Sequence, residues 1–172
     1  MNIRSIEESD AESFLKLQQQ LDTETEFMMF EPGERDMDLD YRKKSVRRYI
    51  EDPRSAVWVL EKEERLVGFL AAFGNKPRRI QHRAYLVVGI LQEEAGQGYG
   101  TKLFTELDRW AKEVEIHRLE LTVMIHNEAG IALYKKMGFE VEGVKRDAMR
   151  INGNYVDEYY MAKLISMDQG DL

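Results

Sequence analysis

The sequence predicts an α/β (α+β) chain whose elements run in the order β-α-α-β-β-β-α-β-α-β-β. Three observations carry this. Apolar residues alternate between a two-residue period and a three-to-four-residue period along the chain. Turn-forming residues separate the runs. No linker, internal repeat or low-complexity tract divides them, and 172 residues fit one domain, taken as 1–172.

Asn2 to Ile6 reads as a short first strand. Ser9-Asp10-Ala11-Glu12 has the form of a capping box, in which the Ser9 hydroxyl and the Glu12 carboxylate each satisfy the other's backbone amide. Phe14, Leu15 and Leu17 begin the apolar stripe of the first helix. From Thr23 to Asp38 periodicity is lost and acids dominate, as in a loop. Leu39 to Ile50 predicts a second helix that stops ahead of Asp52-Pro53, because proline disfavours a helical residue before it. Val57 to Leu60 and Leu66 to Phe73 predict a hairpin turning at Lys62 to Arg65. Ala84 to Leu91 is apolar throughout, as expected of a central strand covered on both faces. Leu103, Phe104, Leu107, Trp110, Ala111 and Val114 stand at helical spacing in Thr101 to Val114. Leu119, Leu121, Val123 and Ile125 alternate with polar or longer residues, as in a strand. Asn127 opens a short helix that Gly138 closes. Asn152-Gly153 joins two last strands, and Ser166 to Leu172 predicts a frayed tail.

Composition narrows the function classes. There are no cysteines, which excludes disulfides, a thiol nucleophile and cysteine-built zinc sites. No run approaches the roughly 18–20 apolar residues of a membrane span, and the N-terminus lacks the apolar core of a secretory signal. The expected setting is therefore cytoplasmic, with no membrane partner. A net charge of −7 argues against nucleic acid, whose phosphates call for a concentrated positive surface. It suits a cationic small-molecule or peptide amine, although the same charge also serves solubility alone.

The segment Val87 to Leu103 holds the chemistry. A buried strand ends, Gly96, Gly98 and Gly100 follow within five residues, and a helix begins at once. Such amides at a helix N-terminus suit a phosphate or pyrophosphate, so an anionic cofactor is one reading; a tight packing turn is the other. The Walker pattern fails because Thr101-Lys102 follows Gly100 in the wrong order. The dinucleotide fingerprint fails because the spacing is G-x-G-x-G.

Ala95-Gly96-Gln97-Gly98-Tyr99-Gly100 resembles motif A of the GNAT acetyltransferase superfamily, Q/R-x-x-G-x-G/A. Asn127 to Phe139 resembles the family's N-x-x-A-x-x-L-Y-x-x-x-G-F block, with Asn127, Leu133-Tyr134 and Gly138-Phe139 falling where expected. The ending from Glu142 to Glu158 is similar to the branch with ribosomal-protein and spermidine acetyltransferases. Ala95 departs from the family's Gln or Arg, a residue that helps hold the pyrophosphate.

The resemblance implies a central mixed, mostly antiparallel sheet flanked by helices. It implies acetyl-CoA as cosubstrate without a metal, direct attack by an amine, and a likeness to homodimers that meet through terminal strands. The acceptor would be a polyamine, an amino-acid-like metabolite or a protein N-terminus. The cofactor would lie where Ala84–Leu91 parts from Leu119–Ile125. Its contacts would be main-chain groups at Ile90 and Leu91, amides near a bulge in that strand, Gly96, Gln97, Gly98, Tyr99, Gly100, Thr101, Asn127 and Tyr134. Tyr134 would be the general acid for the departing thiolate, though a tyrosine here can equally be a packed ring; Asn127 can equally be only a helix cap. Glu24, Glu26 and Glu31 would border the acceptor and could supply a base, with Tyr85 and His82 as further acceptor-side candidates. Arg78-Arg79 and His82-Arg83 would either contact the cofactor's adenosine end or form a solvated edge. A non-catalytic acyl-CoA-binding domain is the alternative reading, which retention of Tyr134 disfavours and Ala95 favours.

Overall fold

The structure, a computed structural model, describes residues 1–166. Apart from Ser166, the predicted tail lies outside them. Its elements are β1 (Asn2–Ser5), α1 (Ala11–Glu24), α2 (Leu39–Glu51), β2 (Ala56–Lys62), β3 (Arg65–Phe73), β4 (Arg83–Ile90), α3 (Tyr99–Glu113), β5 (Arg118–Met124), α4 (Glu128–Lys136), β6 (Glu140–Ile151) and β7 (Asn154–Leu164). The seven strands form one sheet in the order β1-β2-β3-β4-β5-β7-β6. Every neighbouring pair is antiparallel except β4 and β5. A parallel pair needs a crossover on one face of the sheet, and α3 supplies it.

Side-chain alternation divides the apolar residues between the two faces. Phe14, Leu17 and Leu21 of α1 and Val46 of α2 pack on Val57, Val59, Val67, Phe69 and Ala71. On the other face Leu103, Phe104, Leu107 and Ala111 of α3 pack with Tyr134 of α4 on Leu70, Leu86, Leu119, Leu121, Val123 and Met161. The helices α1 and α2 stop at β4, so the face they cover is left uncovered by helix over β5, β7 and β6. Accordingly β4 is not buried throughout as its apolar sequence suggests: Tyr85, on that face, is 40 % exposed.

The first helix is capped differently from expectation. The Glu7 amide donates to the Asp10 carboxylate at 2.8 Å, and Arg4 donates to both Asp10 oxygens at 2.7 and 2.9 Å. Glu12 instead takes Lys16 at 2.6 Å, one turn along. A buried carboxylate with an arginine partner and a backbone donor outcompetes a solvated hydroxyl. The helix also runs through Glu24, so Thr23 and Glu24 belong to α1 and the loop begins at Thr25. Within the hairpin of β2 and β3, Glu63 and Glu64 take φ of 50° and 62°. The two-residue turn demands that left-handed geometry even of non-glycine residues.

The loop from Thr25 to Asp38 is held at its base by Asp22 and Arg35. Their side chains keep only 1 % and 9 % of their exposure and pair at 2.6 and 2.9 Å, with the guanidinium 4.7 Å above the Phe30 ring. Removing one partner of a buried pair strands the other charge. Asp22→Asn is expected to lower unfolding free energy by about 3 kcal/mol, read from the urea midpoint at unchanged m-value.

Candidate active site

The site is set by how briefly β4 and β5 pair. Their register covers Arg83↔Arg118, Ala84↔Leu119 and Tyr85↔Glu120, after which the strands diverge. On its other edge β4 stays paired with β3 through Ile90 without a register shift, so the bulge expected in this strand is not found there. The Leu91 amide donates to Val67 O at 2.9 Å, and its carbonyl accepts from Glu94 N at 2.9 Å. Both main-chain groups of Leu91 are thus engaged within the fold. Alternation along the antiparallel ladder then turns the main-chain groups of Val88 and Ile90 towards the gap. Their edge is an unpaired strip of strand, ready for an extended amide-bearing ligand.

The glycine segment opens off the end of that strip. Gly96 and Gly98 have φ of +74° and +81°, and a Cβ at either would meet nothing within 4 Å. They are there for backbone shape and approach, not for packing. Gly100 has the opposite job: a Cβ there would come within 2.7 Å of Leu133, so it lets α3 and α4 close together. The first helical bond runs from Lys102 N to Gly98 O, which leaves the amides from Gly96 to Thr101 with no acceptor among the described residues. They converge at the positive end of α3. Glu94, 4 % exposed, anchors the segment by accepting from Lys62 at 2.6 Å and from Gln97 at 3.2 Å. The Gln97 side chain also accepts from the Tyr99 hydroxyl, so this pair braces the loop and only its amides face outward. Lys136 of α4 donates to Thr101 Oγ1 at 3.2 Å, which adds a cation beside those amides.

Tyr134 is 8 % exposed, its ring packed against Phe104 and Phe139 at centroid distances of 5.8 and 6.2 Å. Its hydroxyl has no hydrogen-bond partner among the described residues, yet it is not one of the sealed polar atoms. Burial, and secondarily the nearby Tyr85, pushes its ionisation well above the ordinary tyrosine range, so Oη keeps its proton. Packing and proton storage are therefore both properties of this one residue. The Asn127 side chain accepts from Gly130 N at 3.0 Å, as a helix cap does.

On the uncovered face the predicted acceptor residues separate. Tyr85 sits at the vertex of the gap and bonds Thr122 Oγ1 at 2.9 Å. Glu24 accepts from Gln20 at 2.8 Å and from the Gln92 amide at 3.0 Å, tying α1 to the end of β4. Glu26 lies 2.7 Å from His126 Nε2, and Phe27 stacks on the same imidazole at 5.0 Å. Residues 24–26 thus bridge the ends of β4 and β5 across the gap's mouth. Glu31 is exposed and only its main chain is engaged, its amide donating to the Glu34 carboxylate at 2.9 Å and its carbonyl accepting from the Glu34 amide at 3.1 Å. His82 lies at the closed end, where its carbonyl accepts from His117 and Arg118, and Arg78 and Arg79 are exposed just before it. That cluster stands a full strand away from the glycine segment. His126 escaped the sequence reading because its partner is a hundred residues away; its place beside Asn127 was the only local signal.

Residues 17–139 match the profile of the acetyltransferase (GNAT) family. The chain belongs to this family. Among its relatives is the L-amino acid N-acetyltransferase AaaT of Escherichia coli, 39% identical over 95 residues, which are 52% of this chain and 56% of that protein. The chain spans about half the length of the curated relatives it matches first. A ribosomal-protein-alanine N-acetyltransferase from Brucella melitensis is 26% identical with a TM-score of 0.83, covering 95% of this chain and 99% of that one. The fold is shared also with yncA of Salmonella typhimurium, solved with its cofactor acetyl-CoA, at a TM-score of 0.86 and 18% identity over 100% of this chain and 98% of that one. In this GNAT chain no group of three or more metal-binding side chains comes together among the described residues. No helix among them is long and apolar enough to cross a membrane.

The raised ionisation of Tyr134 links to stability with a definite sign. Its neutral form is favoured in the fold, so the stabilisation is complete below the ordinary tyrosine value of about 10 and is lost as pH rises beyond it. Melting curves from pH 9 to 11.5 should therefore fall less steeply for Tyr134→Phe than for the unaltered protein.

Proposed function

We propose that this protein is an N-acetyltransferase that moves the acetyl group of acetyl-CoA directly to a primary amine, and that the acceptor is an α-amine. The observation that carries the reading is the coincidence of an unpaired strand edge, six free amides at the head of α3 and a protonated tyrosine hydroxyl on one gap. The α-amine preference is supported by likeness to an L-amino acid acetyltransferase and to a ribosomal-protein-alanine acetyltransferase.

The residues present suit the cofactor. A pyrophosphate needs donors and positive potential, and the amides of Gly96 to Thr101 with Lys136 offer both without a side chain at Ala95. A pantetheine arm carries amides, and the main-chain edge at Val88 and Ile90 can pair with them. When bound, acetyl-CoA supplies an acetyl group activated as a thioester. Around it, Val88 and Ile90 orient, α3 binds, and the apolar wall of Phe104 and Phe139 excludes water from Tyr134. Tyr134 Oη holds the proton that a thiolate leaving group requires, while its height above neutral pH makes it an acid and not a base. Asn127 keeps α4, and with it Tyr134, in register. The same reading takes the acceptor-side surface to be the uncovered face at Tyr85 and Thr122. It also includes a homodimer through β6 and β7, where Val144, Tyr155 and Leu164 are exposed.

Calorimetric titration with acetyl-CoA, with ATP and NAD as controls, should give selective binding in the micromolar range. Thiol release should then appear with one of a panel of L-amino acids, L-alaninamide or an alanine-initiated peptide. Absence of acetyl-CoA binding by folded protein would sink the reading. Tyr134→Phe should lower kcat by about a hundredfold, the scale of general-acid catalysis, with cofactor affinity unchanged; full turnover would end its role as acid.

A further inference from the structure

One carboxylate on the uncovered face has no use in the fold. Glu158 of β7 is 9 % exposed and has no hydrogen bond and no ion pair with any described residue, while its oxygens are not among the sealed polar atoms and stay open to a ligand. Lys145 stands opposite it on β6 but does not come within ion-pair distance. Buried carboxylates are nearly always paired, because leaving water without compensation is costly. Every other buried acid among the described residues has its partner: Asp10 has Arg4, Asp22 has Arg35 and Glu94 has Lys62.

Its direction follows from the register. Tyr159 and Met161 face α3 and α4, so Glu158 and Tyr160 face the other way. Tyr160 pairs with Thr122 on β5, and Thr122 is bonded to Tyr85 at the vertex of the gap. Glu158 pairs with Met124, one step further towards the mouth. Diagonal neighbours on a sheet lie roughly 7–8 Å apart, so Glu158 looks across about one small-molecule width at Thr122. Met124 is 3 % exposed and belongs to neither helix-covered core, which makes it the apolar floor beside the carboxylate.

We propose that Glu158 is the specificity-determining carboxylate of the acceptor face and receives the acceptor's positively charged ammonium group, with Tyr85, Thr122 and Tyr160 forming the wall beside it. This rests on the acetyltransferase reading above and adds the group that selects a cationic amine over a neutral or acidic molecule. An ammonium ion supplies the counter-charge and donors that the fold withholds. The proton must leave before nitrogen can attack, and Glu158 docks the ammonium without being assigned that proton.

The test compares the full chain with Glu158→Gln, Glu158→Asp and, as a control on the same sheet, the exposed Glu140→Gln. A charge-assisted hydrogen bond is worth about a 10- to 100-fold change in affinity. Glu158→Gln should raise KM for the best amine of the panel by that factor. Its kcat should stay within about threefold and its acetyl-CoA affinity unchanged, with Glu158→Asp intermediate and Glu140→Gln silent. Melting temperature supplies a readout that needs no turnover. Glu158→Gln should melt no lower than the unaltered chain, since it removes no contact of the fold, and L-alaninamide with CoA should stabilise the unaltered chain and not the variant. An unchanged KM, or a ligand shift that is equal in both proteins or absent from both, overturns the proposal. Joint loss of acetyl-CoA binding and stability in Glu158→Gln overturns it too, by making the residue structural. A chain that never binds acetyl-CoA instead fails the function proposed above, while the alaninamide shift still decides Glu158.

Discussion

The parallel pairing of β4 with β5 lasts for three residue pairs, and the rest of the molecule is arranged around its ending there. The other five neighbouring pairs of strands zip together antiparallel, by hairpins or long ladders. Only at this junction does a central strand run on with one edge unpaired. Buried main-chain groups are costly to leave without partners, so an interior strand with a free edge persists only because helices on both faces hold it in place. Phe69 and Leu21 clamp Gly89 from one side, where a Cβ would meet Leu21 at 2.7 Å, and α3 seals the other. The crossover that the parallel pair requires also delivers the head of α3 to the same opening.

The site is accordingly a collection of unmet polar groups gathered around one opening. Amides of the glycine segment lack acceptors, the Tyr134 hydroxyl lacks a partner and the Glu158 carboxylate lacks a cation, all around one gap. Elsewhere the buried acids Asp10, Asp22 and Glu94 are paired, while Gln18 Oε1, Arg42 Nε, Arg83 Nε and Asp108 Oδ1 are sealed without a hydrogen-bond partner among the described residues. At the gap the Gln97–Tyr99 brace keeps side chains away from the amides.

Much of this was legible in the residues. Alternation in Leu119 to Ile125, the helical stripe of α3, and the Asn152-Gly153 turn located elements to within a residue or two, since each is a local preference agreeing with its tertiary place. The glycine segment was legible for the same reason. The capping box was misread at Ser9 because Arg4, on the preceding strand, selects Asp10 instead. The exposure of Tyr85 could not be read from an apolar run, because it depends on where α1 and α2 end over the sheet. The bridge from Glu26 to His126 and the solitude of Glu158 are facts about distant partners, present or missing, that no local pattern records.

Residues 24–26 fasten the two diverging strands to a single stretch of chain, and the fastenings are unequal. Asp22 and Arg35 are buried at the base, whereas the contacts from Glu24 to the Gln92 amide and from Glu26 to His126 are both exposed. The stretch that spans the gap is thus seated firmly at its root on α1 and held to both strand ends only by contacts for which water competes.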